Sequence, residues 1–192
     1  MDSTAQPRRG GTRQRIQDVA LELFTEQGYE KTSLREIAER LDVTKAALYY
    51  HFKTKEDIVV GLFEDLSRPM DELIAWGESQ PSTLEVKKEI LRRYSDSLAA
   101  AAPLFRFAQE NQAAMRDLSV GKPFKNHMLR LMELLNRSEG TLSDRVRCFA
   151  AIFAMHAGLM ALQDVEGDPE EKRNAALEVA IELMVRGQGL TP

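Results

Sequence analysis

Cysteine is almost missing from this chain: Cys148 is the only one in 192 residues, so no intrachain disulfide can form. Tryptophan occurs once, at Trp76, and aromatic residues make up 7% of the whole. Long apolar runs are missing too. The longest uncharged stretch, Cys148 to Gln163, is shorter than the roughly 20 apolar residues a membrane span needs, and it contains His156 and Gln163. It reads as a buried helix. The polar, basic N-terminus has no apolar segment of the kind that makes a signal peptide, so a cytoplasmic protein is expected. Cys148, His51, His127 and His156 show no metal-ligand spacing, and neither a nucleophile elbow nor a phosphate loop is present. The expectation is a protein that is not an enzyme and that needs no metal or cofactor.

What is present is helical patterning from end to end. In Ser33–Lys55, SLREIAERLDVTKAALYYHFKTK, the apolar residues Leu34, Ile37, Ala38 and Leu41 follow the i, i+3, i+4, i+7 rule, and Leu48 with Phe52 continues the same core from a second helix. The link Leu41-Asp42-Val43-Thr44 has the length that sets two helices at a steep angle, with Thr44 as N-cap of the second. Thr12 to Gly28 reads as an amphipathic helix with Ile16, Val19, Ala20, Leu23 and Phe24 on its stripe and Gly28 at a left-handed C-cap. Ser33 and Glu36 form a capping box. Three helices thus close one small core.

The second helix of the pair presents a face suited to DNA. At roughly 3.6 residues per turn, inward Leu48 and Phe52 leave Ala46 and Tyr50 pointing outward, with Ala47 and Tyr49 on the flanks. Small side chains at 46 and 47 let a helix sink into a major groove about 12 Å wide. Lys45 and Tyr50 are the candidates for base edges. Thr44, Tyr49, His51 and Lys55, with either Thr32 or Ser33, are candidates for phosphate oxygens, which fix register but carry no sequence information. Pro7, Arg8, Arg9, Gly10, Gly11 and Arg13 read as a flexible cationic stretch, either an arm that enters a minor groove or a tail of diffuse attraction.

Charge agrees with this in sign only. The 26 lysines and arginines against 30 acidic residues give a net −4. Residues 1–55 hold 10 basic and 8 acidic side chains, which leaves 16 basic and 22 acidic for the rest. An electrostatic footprint must therefore come from placement on one face.

The runs Gly28–Ala38 and Val43–Lys55 resemble the signature of the TetR family of bacterial transcriptional repressors, across the first 60 or so residues. Many members carry glycine where this chain has Ala46. The resemblance implies an all-α homodimer with an N-terminal DNA-binding domain, and a C-terminal domain that binds a small molecule and releases the operator. On this reading residues 1–54 are the helix-turn-helix domain with its basic arm, and 55–192 the helical regulatory domain for ligand binding and dimerisation.

From Thr54 onward proline and glycine punctuate one helix after another. Thr54 caps a long helix towards Gly77, with Ile58, Leu62 and Leu66 inward and Pro69 as a kink or break. This is the expected transmission element. Ser82 with Glu85 makes a second capping box, opening a helix from Leu84 to Ala102. Pro103, Gly121, Pro123 and Gly140 mark further breaks. Segments near 104–118, 124–137, 143–164 and 169–186 bring the total to about nine helices, and Asp168-Pro169 is a clean start for the last.

Phe149 to Ala161 is apolar on every side and needs burial all round. Ala150, Ala154, Ala157, Gly158 and Ala161 permit close backbone approach. Ala176, Leu177, Ala180, Leu183, Met184 and Gly187 on the last helix are placed to complete a four-helix bundle across a two-fold axis. A homodimer through the last two helices is expected, or else burial within one subunit. An effector cavity is expected among Trp76, Tyr94, Phe105, Phe107, Met115, Phe124, His127, Met128, Met132, Phe149 and Phe153, with Gln109, Asn111, His127 or His156 as polar handles and a lipophilic or amphipathic ligand. Ordinary core packing is the alternative for each. The functional alternative is an architectural DNA-binding protein of the same fold that ignores small molecules.

Overall fold

The computed structural model describes residues 9–116, 118, 121–137, 141–162 and 164–185, and every regular element among them is an α-helix. These are α1 (Arg9–Gln27), α2 (Leu34–Arg40), α3 (Lys45–His51), α4 (Lys55–Glu78), α5 (Leu84–Glu110), α6 (Gln112–Arg116), α7 (Gly121–Leu135), α8 (Leu142–Ala161) and α9 (Pro169–Val185). No helix among the described residues is long and apolar enough to cross a membrane. The packing divides into two compact units. One falls within Met1–Asp65 and Pro103–Val120, the other within Leu66–Ala102 and Gly121–Pro192.

In the first unit, Ile16, Ala20, Leu23 and Phe24 of α1 are buried with Ile37, Ala38 and Leu41, with Leu48 and Phe52, and with Ile58, Val59 and Leu62 of α4. The expected local devices are in place. Gly28 sits at φ 94°, and its N–H bonds the Phe24 carbonyl at 3.1 Å, a conformation glycine adopts without strain. The Ser33 hydroxyl accepts from the Glu36 N–H at 3.2 Å while the Glu36 carboxylate accepts from the Ser33 N–H at 2.7 Å. Asp42 takes φ 53° in the turn between α2 and α3; a short polar side chain tolerates that region better than most.

One expectation fails at the N-terminus. Helix α1 begins at Arg9, so Arg9, Gly10, Gly11 and Arg13 are helical and not a flexible arm; Pro7 and Arg8 lie outside the described residues. Two glycines cost a helix about 1 kcal/mol each, but the turn that follows them is anchored. The Arg13 guanidinium lies 4.3 Å over the Phe52 ring, and Ile16 is fully buried.

The second unit buries Leu73 and Ile74 of α4, Ile90, Leu91, Tyr94 and Leu98 of α5, Leu131, Leu134 and Leu135 of α7, Cys148, Ala151, Ile152 and Met155 of α8, and Ala180 with Met184 of α9. Neither proline breaks its helix: α4 runs through Pro69 and α5 through Pro103. A proline inside a helix costs about 3 kcal/mol or more. In each case the turn beyond it carries apolar side chains into a core: Leu73 and Ile74 after Pro69, Leu104 and Phe107 after Pro103. The cap of α5 is also one residue later than expected, because the Thr83 hydroxyl accepts from the Val86 N–H at 3.3 Å. Helix α8 opens on a capping box of Thr141 and Asp144, and α9 on Asp168, whose carboxylate accepts from the Glu170 N–H at 3.2 Å. Gly140, Gln163 and Gly187 lie outside the described residues.

Candidate nucleic-acid interface

Helix α3 is only seven residues long, and its orientation follows from its two anchors. Leu48 is fully buried, and the Thr44 hydroxyl caps the helix by accepting from the Ala47 N–H at 3.1 Å. The opposite face is thereby turned outward. Lys45, Ala46, Ala47 and Tyr50 are exposed, Tyr50 at 68%, while Tyr49 and His51 are half-buried. The Lys45 ammonium lies 5.5 Å over the Tyr49 ring, and the His51 ring meets Tyr50 edge-on at 5.2 Å. Exposed Ser33 stands at the start of α2. These groups put small exposed side chains beside cations, hydroxyls and aromatic rings, a chemistry that suits a major groove and its phosphates.

Two of the residues expected to touch phosphate are otherwise engaged. Thr32 is 2% exposed; its hydroxyl donates to the Gly28 carbonyl at 2.9 Å and accepts from Gln27 Nε2 at 3.2 Å. Lys55 Nζ donates to the Tyr29 carbonyl at 2.7 Å and sits 4.4 Å over the Tyr29 ring. The Tyr29 hydroxyl donates in turn to Glu56 Oε1 at 2.9 Å. Burial, reinforced by Glu56, pushes the Tyr29 phenol well above its ordinary range, so it stays protonated. A hydrogen bond from its own backbone N–H, with further ones from Tyr29 and Thr54, lowers the Glu56 carboxyl. Neither Tyr29, though it falls within the Gly28–Ala38 run, nor Glu56 stands out by its spacing: both have the look of ordinary loop and first-turn residues.

The residues expected to line an effector cavity are scattered more widely. Tyr94, buried, directs its hydroxyl to His156 Nε2 and lies 4.0 Å from Met128 Sδ, and Phe124 meets the His156 ring edge-on at 5.8 Å. Burial lowers the His156 pKa, which keeps the imidazole neutral, and raises that of Tyr94. His127 bonds Asp71 at 3.0 Å, where Arg130 also reaches at 3.6 Å. Trp76 is covered by the Arg93 guanidinium at 3.7 Å. Phe107 instead belongs to the core of the first unit, stacked 5.3 Å from Phe24, and half-buried Phe105 and Met115 fall within that unit as well. Phe149 and Phe153 stack on each other at 5.7 Å but are 48% and 63% exposed.

Those two rings belong to an open apolar row on α8 that includes Leu142, Val146 and Met160, with Val179 exposed on α9. The close approach that Gly158 permits is used within the chain: a Cβ there would stand 2.6 Å from Ala176 Cβ.

Residues 16–62 match the model of the family described as bacterial regulatory proteins, tetR family. Over 53 residues the chain is 53% identical to the HTH-type transcriptional regulator AcrR of Shigella flexneri, covering 28% of this chain and 25% of that protein. Over 81 residues it is 35% identical to the HTH-type transcriptional repressor KstR2 of Rhodococcus jostii (strain RHA1), covering 40% of each. The matched stretch thus spans two fifths or less of these curated relatives. The likeness in fold reaches further. A TetR-family transcriptional regulator from Marinobacter aquaeolei VT8 superposes with a TM-score of 0.71 over 94% of this chain and 92% of that one, at 22% identity.

Proposed function

The chain belongs to the TetR family of bacterial regulatory proteins through residues 16–62, and we propose that it is a ligand-responsive DNA-binding transcriptional regulator that represses from a palindromic operator. The observation that carries this reading is α3: a capped helix held by a fully buried Leu48, with Lys45, Ala46, Ala47 and Tyr50 left in the open. Lys45 and Tyr50 read base edges. Ser33, Thr44, Tyr49 and His51 hold phosphate. The helix is too short to read more than a few base pairs, so a specific site requires a second copy. In a two-fold dimer the recognition helices address half-sites about 34 to 36 Å apart.

The second copy docks on the open row of α8, together with α9. Leu142, Val146, Phe149, Phe153 and Met160 are large apolar side chains on one helix, and a contiguous exposed apolar face of this kind marks an association surface. Residues 66–102 with those from 121 onward form the regulatory part. There buried Tyr94, with half-buried His156 and Met128 and the more open Phe124 beside it, favours an amphipathic small molecule, whose polar end meets the neutral imidazole and phenol. Binding shifts the population towards a dimer that no longer fits consecutive grooves, and the operator is released.

Mapping bound fragments across a genome, followed by gel shift on the strongest of them, tests the reading. A small set of palindromic sites and release by one small molecule is the expected result. Binding to many unrelated sites with indifference to every small molecule makes the protein architectural instead, and a purified monomer with no affinity for any palindrome at low ionic strength removes the reading altogether.

A further inference from the structure

We propose that Phe107, on α5 and far outside the matched segment 16–62, is a positioning residue for the DNA-reading head. Its ring is completely buried, stacked on Phe24 at 5.3 Å and 5.9 Å from the ring of Tyr29. Phe24 and Tyr29 meet edge to face at 5.1 Å. Three aromatic rings from α1, the loop after it and α5 thus close one cluster, in which each pair contributes beyond plain burial.

Tyr29 hands this placement on through two polar groups. Its carbonyl accepts from Lys55 Nζ at 2.7 Å, and its hydroxyl donates to Glu56 at 2.9 Å. Lys55 and Glu56 are the first two residues of α4, and α3 ends at His51, three positions before the cap. The loop that carries Tyr29 leads directly into Ser33, the cap of α2. Both ends of the α2–α3 pair, the loop before it and the helix start after it, are therefore tied to one tyrosine whose ring rests on α5. Phe107 is the anchor. The head is complete only with the last turns of α5 in place, and any displacement of those turns loosens the frame of the recognition helix.

This inference rests on the DNA-binding reading for its function but not for its geometry, and its test separates the two. A double-substitution cycle with Phe107→Leu and Lys55→Met is read on full-length protein with an operator fragment. Phe107 meets the Tyr29 ring from α5 and Lys55 meets it from α4; independent sites give additive effects on Kd, whereas transmission through Tyr29 makes the double variant at least about threefold tighter than the product of the singles predicts. In the parent protein Lys55→Met leaves the slope of log K against log salt unchanged, because that ammonium is held by a carbonyl, whereas loss of a phosphate contact lowers the slope by about one.

Amide exchange supplies a readout that needs no DNA: Phe107→Leu speeds exchange across Gly28–Ser33 and Phe52–Asp57 and leaves α8 and α9 untouched. Should Phe107→Leu melt the head, Tyr29→Phe, which deletes only the hydroxyl, replaces it in the cycle with the same expected sign. Additive effects in the cycle, or unchanged exchange in those two segments, overturn the proposal. A parent protein that retards no fragment defeats the DNA-binding reading, while the exchange arm still decides the coupling.

Discussion

Gly158→Ala adds a single methyl group at the point where α8 runs against α9. On an isolated helix the change is favourable by about 1 kcal/mol, since alanine gives up less backbone freedom than glycine. The tertiary setting reverses the sign. The new Cβ stands 2.6 Å from Ala176 Cβ, against about 3.5 to 4.0 Å for carbons in comfortable contact. Ala176 has no rotamer to retreat into, so the two helices must move apart by about 1 Å. A Cβ–Cβ approach this short belongs in the upper part of the range for overpacking, about 2 to 3 kcal/mol, which outweighs the gain in propensity and leaves a net loss of about 1 to 2 kcal/mol. For a chain of this length that lowers Tm by about 2 to 8 °C.

Gly11→Ala is the control, because a Cβ there meets nothing within 4 Å and only the propensity term operates. Thermal and denaturant unfolding should therefore show opposite signs for two chemically identical substitutions. The scans need at least two protein concentrations, since loss of a dimer also lowers Tm. A Gly158→Ala protein as stable as the parent would refute the packing argument, and with it the tight seam between α8 and α9.

Three further outcomes follow from the same geometry. Lys45→Ala and Tyr50→Ala should each relax base preference at one position of the half-site at a cost of about 1 to 3 kcal/mol; a selection from randomised operators that returns the parent consensus for both variants removes these residues from direct readout. Because burial lowers the His156 pKa, the unfolded chain takes up a proton there before the folded one does, so stability is full above about pH 6.5 and declines as pH falls below it. Unfolding titrations from pH 7.5 to 5.0 should show that decline reduced in His156→Gln, and equal slopes in both proteins count against it. Ser33→Ala removes the cap of α2, whose hydroxyl and N–H hold Glu36; the head should lose about 1 kcal/mol, and because those bonds also lower the Glu36 pKa, their contribution should fade on acidification through the folded carboxyl's pKa.

The head was readable because its determinants are local. Capping at Ser33 and Thr44, the left-handed stop at Gly28 and the apolar spacing that buries Ile37, Ala38, Leu48 and Phe52 all act within a few residues of chain. What escaped the sequence reading acts across distance. Thr32 and Lys55 carry groups that look free for phosphate, yet the Thr32 hydroxyl donates to the Gly28 carbonyl and Lys55 Nζ to that of Tyr29. Gln17 lies in the middle of a solvated-looking stretch and is nonetheless fully buried, with its amide donating to Asp65 at 2.6 Å. Arg13 suits a mobile cationic arm and instead covers Phe52. A long polar side chain is indifferent to its setting until a neighbour from elsewhere in the chain presents a ring or an acceptor.

Sequence alone determined the order of helices, most of their starts, and the face that α3 shows to solvent, because a 3.6-residue period and a handful of capping side chains leave few other arrangements. Tertiary structure alone decided that α4 and α5 run on through Pro69 and Pro103, that Phe107 joins the DNA-reading head, and that Phe149 and Phe153 stand in the open. Each of those outcomes is a balance between a local cost or a local pattern and burial against partners dozens of residues away, and one-dimensional spacing carries no measure of that burial.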